Sequence, residues 1–252
     1  MNFSTEKEER IYFPKKLNYS YFCICFFVKQ VFAIIHKEFR LEFRQRATLS
    51  GILLYLIGCV YLCYLVIRKI TVGPDWKLRE IETWNSLFWI LLLFNAIIAT
   101  SKTFANDSKG RMLYYYSLYH PRNLLIAKLI YNFLLLTIIS LLCYFFFAVF
   151  IGNPVKNLPV FLTDLFLSCI AFAGILTMTS GIATKAGGGF TLISILSIPL
   201  LFPMLLMAIR SSMLACLGYS FSSGSVYLFG LLALSVLIVS LGVLLFPYLW
   251  RE

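Results

Sequence analysis

The chain has 252 residues, of which 60% are hydrophobic, 17% aromatic and only 13% charged. A soluble domain carries about 25% charged residues, so this composition excludes an ordinary soluble enzyme and points to a chain embedded in lipid. The net charge of +11 does not mark a nucleic-acid surface, because the lysines and arginines gather at the ends of apolar runs rather than along one basic face.

In chain order, the first feature is the aromatic stretch Asn18–Val28, with Tyr19, Tyr21, Phe22, Phe26 and Phe27. It is shorter than the ~20 residues a span needs, and no small-residue cleavage site follows it. It reads as a shallow anchor or as an extension ahead of the true start, not as a signal peptide. Next, at helical periodicity, Val28, Val31, Phe32, Ile35, Phe39 and Phe43 fall in one sector. Lys29, His36, Lys37, Arg40 and Arg44 occupy the neighbouring one. Such a basic amphipathic helix lies in the headgroup plane or packs on a partner at the membrane surface.

Six apolar runs follow, at about 50–67, 84–101, 124–151, 161–183, 190–209 and 226–250, each long enough to cross a bilayer. The expected fold is an all-α polytopic membrane protein. Connections are short, leaving no room for a soluble domain between spans. Sixteen Lys and Arg residues fall on the side of the termini and six on the other, which places both termini in the cytoplasm. Trp76 and Trp84 read as interfacial belt residues.

The fourth span carries Ser168, Ala171, Gly174, Thr177 and Gly181 along nearly one face. Small residues let helix backbones approach closely in lipid, so a tight helix contact is expected there. In the fifth span, Pro199 and Pro203 each remove a backbone donor and clash with the preceding turn, so a kink or break is expected, structural or hinge-like. Gly187 and Gly188 precede that span.

Several chemistries have no residues to carry them. The chain holds no GxxxxGK pattern followed by Ser or Thr, so ATP hydrolysis must come from elsewhere. Asp164 stands within a turn of the start of span 4, where it is expected to cap the helix at the interface. No acid is then left at mid-membrane depth, as ion-coupled carriers require. The two histidines, His36 and His120, lie in or beside charged cytoplasmic segments, and no intramembrane catalytic set accompanies them. The seven cysteines show no CxxC or haem-attachment spacing and read as small buried hydrophobes. No catalytic residue, metal ligand or haem ligand emerges.

What remains is a membrane subunit that borrows its energy. The longest cytoplasmic connection, Lys102–Asn123, is where that borrowing is expected. Its Tyr114, Tyr115, Tyr116, Tyr119 and Arg111 are residue types enriched at protein interfaces.

Three blocks of residues resemble the cytochrome c maturation protein B family, also called haem exporter protein B, over about residues 29–250. The first is the charged block Lys37-Glu38-Phe39-Arg40-Leu41-Glu42-Phe43-Arg44-Gln45-Arg46. The second comprises Phe104, Asp107, Gly110, Leu113 and Pro121, then Ala127-Lys128. The third is Lys185 with Gly187-Gly188, then Leu192-Ile193-Ser194-Ile195-Leu196, Pro199-Leu200 and Pro203. One departure is Arg111-Met112-Leu113-Tyr114 after Gly110, where the family commonly has Leu-Glu, so an acidic contact there does not carry over.

The resemblance implies an ABC-2 exporter-type permease, six spans preceded by an interfacial helix, in the bacterial inner membrane. Two copies would pair with two copies of a separate ABC ATPase. Other implied partners are a haem-handling membrane protein, a small single-span helper and the periplasmic haem chaperone. ATP is then used by the partner and haem is handled by the complex, with no cofactor bound directly to this chain. Phe104, Asp107, Gly110, Arg111, Leu113, Tyr114, Tyr115 and Pro121 become the candidate ATPase-coupling residues. Rival readings are an ABC-2 permease for a lipid, polysaccharide or drug, and a non-transporting scaffold.

Overall fold

A backbone in hydrocarbon finds no water for its N–H and C=O groups, so each long apolar run must satisfy them within itself as a helix. The computed structural model describes residues 19–44, 46–68, 76–101 and 121–251. Among them lie seven helices: α1 (Tyr19–Arg44), α2 (Arg46–Arg68), α3 (Trp76–Thr100), α4 (Pro121–Phe150), α5 (Leu158–Lys185), α6 (Phe190–Leu217) and α7 (Phe221–Arg251). The last six are long and apolar enough to cross a membrane, so the chain is a six-span polytopic helical protein. At ~1.5 Å per residue, the 28 residues of α5 reach about 40 Å, beyond a hydrocarbon core of about 30 Å. We call the end holding the start of α4 and the α5–α6 turn the near end, and the opposite one the far end.

Local chemistry sets the helix ends. Asn157 precedes α5 and Pro159 stands in its first turn, where a missing N–H is harmless. At both ends of α6 the turn needs a left-handed residue that only glycine adopts without strain. Gly218 (φ 89°) closes α6, with the Tyr219 N–H donating to the Leu214 carbonyl, and Gly187 (φ 69°) turns the chain from α5 into α6. Helices start earlier than hydropathy suggests: α3 takes in the polar turn from Lys77 to Glu82, which a hydropathy window discards although its backbone continues the helix.

Packing centres on α5, which touches α3, α4, α6 and α7. All five residues of its small face, Ser168, Ala171, Gly174, Thr177 and Gly181, are buried. At Gly174 a Cβ would meet Val239 Cγ2 at 3.2 Å and Ile238 Cγ2 at 3.3 Å, and at Gly242 it would meet Met178 Sδ at 2.9 Å. Thus the side chains of each helix press onto a glycine of the other, Val239 and Ile238 of α7 on Gly174 and Met178 of α5 on Gly242. Contact of this kind substitutes for the hydrophobic effect, since lipid tails are as apolar as leucine. Gly174→Leu is expected to destabilise by about 1–3 kcal/mol through overpacking, read as a lower unfolding temperature of the purified chain. An unchanged transition would show that α5 and α7 can separate at no cost.

One expectation needs correction. Trp84 is not a belt residue: it is 1% exposed, stacked on Phe88 at 5.5 Å and edge-on to Phe147 at 5.5 Å, with Phe161 tilted beside it. Because α3 begins at Trp76, Trp84 lies two turns inside the helix, among aromatic rings of α4 and α5. Pro199 and Pro203 do not break α6, which runs through both without interruption. Both are exposed on its outer side, where local adjustment of the turn accommodates the missing donors without disturbing the core.

Candidate coupling site

A lysine in the first turns of a membrane helix needs either water or an acid. Lys128 of α4 is fully buried, and α1 supplies the acid. Lys128 Nζ lies 3.9 Å from Glu38 Oε1, which is also paired with Lys37 Nζ at 3.0 Å. Three residues further along α4, the Tyr131 hydroxyl donates to Glu42 Oε2 at 3.4 Å, and its ring meets Phe39 edge-on at 5.2 Å. At the start of α4, Asn123 Nδ2 donates to Gln30 Oε1 at 2.9 Å. Between these polar contacts, Val31 and Ile34 close on Leu124, Leu125 and Ala127. The contacts advance in the same direction along both helices, so α1 is clasped to the entrance of α4.

This seam revises the expected face of α1. The buried stripe is Val31, Ile34 and Glu38, while Phe32 is 69% exposed. The apolar sector read from periodicity was shifted because Glu38 turns inward to meet Lys128, a pairing that an apolar/polar split of one helix does not reveal. Phe39 is half-buried at the seam, and Phe43 lies in the last turn of α1. On the remaining face, His36, Lys37, Arg40 and Arg44 border a groove of about 230 Å³, with Arg40 Nη2 donating to His36 Nε2 at 3.2 Å.

Of the residues expected to couple to an ATPase, Phe104, Asp107, Gly110, Arg111, Leu113, Tyr114 and Tyr115 lie outside the described residues. Pro121 is the first residue of α4. The segment therefore feeds directly into the helix that the seam ties to α1.

From α4 the polar contacts continue inward. Asn132 Nδ2 donates to Thr177 Oγ1 of α5 at 2.8 Å, and the Thr179 and Ser197 hydroxyls meet at 2.7 Å between α5 and α6. Toward the far end, Ser212 of α6 accepts from Trp89 Nε1 and donates to Asn85 Oδ1, both at 2.8 Å. Asn85 Nδ2 donates to the Ile209 carbonyl at 2.9 Å. Each such bond in a membrane contributes about 0.6–2 kcal/mol. Together they give α1, α4, α5, α6 and α3 a shared register. The sequence reading missed Asn85, Asn132 and Lys128 as functional candidates; the available signal was a lone amide or amine inside an apolar run.

Asp164 also departs from expectation. Asn157 occupies the cap position, and Asp164 lies in the second turn of α5 with no exposure to solvent. The helix begins before the apolar run does, which carries Asp164 inward. At the far end a cavity of about 430 Å³ opens between α3 and the α4–α5 connection, bordered by Lys77, Glu80, Asn153 and Lys156 with Trp84 at its wall.

Residues 29–245, from the start of the seam to the last turns of α7, match the model of the CcmB protein family. The chain belongs to the CcmB family. The matched region of this CcmB-family chain contains the whole seam and the polar contacts beyond it. Heme exporter protein B of Pseudomonas aeruginosa is 25% identical over 207 residues, covering 81% of this chain and 89% of that protein.

Proposed function

We propose that this chain is the transmembrane permease subunit of an ABC-type complex for cytochrome c maturation, serving haem export through a partner's ATP hydrolysis. The observation that carries the reading is the CcmB family match across residues 29–245, supported by a relative named for haem export. In this reading the chain works in the bacterial inner membrane with both termini cytoplasmic, in keeping with the sixteen basic residues on that side against six. Its partners are the ABC ATPase, a haem-handling membrane protein, a small single-span helper and the periplasmic chaperone, with two copies of this chain per complex. ATP then drives release of the haem-loaded chaperone.

The seam gives this reading a mechanical route. Residues 104–115 dock on the ATPase, and the docked segment enters α4 at Pro121. A displacement there moves α1 and α4 together, because Lys128–Glu38, Tyr131–Glu42 and Asn123–Gln30 hold them. It reaches α5 through Asn132–Thr177 and α6 through Thr179–Ser197. Around the α5–α6 turn, Gly187 and Gly188 then act as the hinge. Nucleotide shifts such an equilibrium only if the ATPase grips the segment differently with ATP bound.

Gly110→Asp and Tyr115→Asp are expected to lower holocytochrome c yield at least tenfold while the chain still reaches the membrane, a loss of about 1.4 kcal/mol or more in coupling. Undiminished yield in both variants, with the ATPase still co-purifying, would sink the coupling assignment. Co-purification of an ATPase without any haem protein would instead favour a permease for other cargo.

A further inference from the structure

Among the described residues, Asp164 is the one acid sealed inside the bundle without a basic partner, and the Ser211 hydroxyl lies within reach of its carboxyl. Two buried hydroxyls that make no bond back to their own helix stand close by: Ser168, one turn along α5, and Ser211 on the facing helix α6. Their state is unusual for this chain. The buried hydroxyls of Thr179, Ser197 and Ser212 each lie within hydrogen-bond reach of the carbonyl four residues back and of a polar side chain on a neighbouring helix. Ser168 and Ser211 make no such bond to a carbonyl, which leaves both free to serve the Asp164 carboxyl.

No cation of the chain faces this cluster among the described residues. The groups near enough to interact with Asp164 are the Ser211 hydroxyl and the thiols of Cys169 and Cys216. Arg210 is exposed on the outer side of α6, and α7 carries no charged residue before Arg251. A carboxylate isolated in a low dielectric is costly enough that it takes up a proton or a positive partner. Acidic residues inside membrane spans therefore come with a positive partner and mark functional paths.

We propose that Asp164, Ser168 and Ser211 form an intramembrane site for one small monovalent cation, a proton or sodium, at the α5–α6 contact. A single carboxylate balances a single charge, and an all-oxygen donor set suits a hard ion. The site lies about 10 Å along α5 from its far-end start. Its occupant bridges two helices that pack directly on each other, so helix contact and ion occupancy are linked. This holds whatever cargo the permease serves.

The test is infrared difference spectroscopy on the full chain, purified with its partners into lipid nanodiscs. With a proton as occupant, a protonated-carboxyl carbonyl band appears in sodium-free buffer, shifts in D₂O and is missing from Asp164→Asn. With sodium as occupant, that band appears only when sodium chloride is replaced by choline chloride, and a carboxylate band takes its place when sodium returns. Ser211→Ala, which keeps the carboxyl, is expected to move whichever band is found and serves as the readout if Asp164→Asn fails to assemble. The proposal is overturned if no proton- or sodium-sensitive band responds to either substitution.

Discussion

Replacing Lys128 with methionine is expected to destabilise the folded chain by about 3 kcal/mol, one of the largest effects of any single substitution at the near end. The cost does not arise from lost attraction alone. Glu38 is 8% exposed, and removing the buried ammonium leaves its carboxylate leaning on Lys37, which is itself half-exposed. Breaking a buried pair from one side costs more than replacing both members with neutral groups. The combination Lys128→Met with Glu38→Gln is therefore expected to recover part of the loss. Thermal unfolding of the four members of this cycle in nanodiscs measures it. Strictly additive losses would show that the two residues do not depend on each other, and the seam would lose its central contact.

Trp84→Ala is expected to cost about 3–5 kcal/mol. In lipid the transfer part of that penalty shrinks, because the surroundings outside the protein are as apolar as its interior. What remains is the void among Phe88, Phe147 and Phe161, each ring about 5.5–6.1 Å from Trp84 by centroid, and the loss of its stacked and edge-on contacts. The far ends of α3, α4 and α5 should loosen together. Proteolysis or hydrogen exchange on that side, faster in Trp84→Ala and near normal in Trp84→Phe, is the expected pattern. Equal protection in both variants would mean that a lipid tail or a neighbouring ring refills the space.

The spans were legible in the sequence because a bilayer imposes one rule on every residue within it: apolar side chains and internally bonded backbone. The small face of α5 was legible too, since helical periodicity places Ser168, Ala171, Gly174, Thr177 and Gly181 together. Facts belonging to pairs of helices were not. Lys128 reads as a flanking charge until Glu38 is seen across from it. Trp84 reads as a belt residue until Phe147 and Phe161 are seen around it. Asp164 has a similar explanation: hydropathy places it at the edge of an apolar run, whereas its depth depends on where the helix begins. Depth and partnership are properties of the assembled bundle, and a single sequence carries only half of each pair.

The position of α5 in the chain has a consequence for synthesis. The helix that touches α3, α4, α6 and α7 is the fourth span to emerge from the ribosome. Until residue 185 is made, Trp89 has neither Phe172 to pack against nor, until still later, Ser212 to bond. The early spans must wait in the bilayer as independently inserted helices, held only by the contacts α2, α3 and α4 make with one another and with α1. Assembly is thus a late event, completed only when α6 and α7 arrive. A product cut short before α5 would present the side-chain amide of Asn85 to lipid without Ser212 and the Ile209 carbonyl, a signature by which membrane proteases can recognise it.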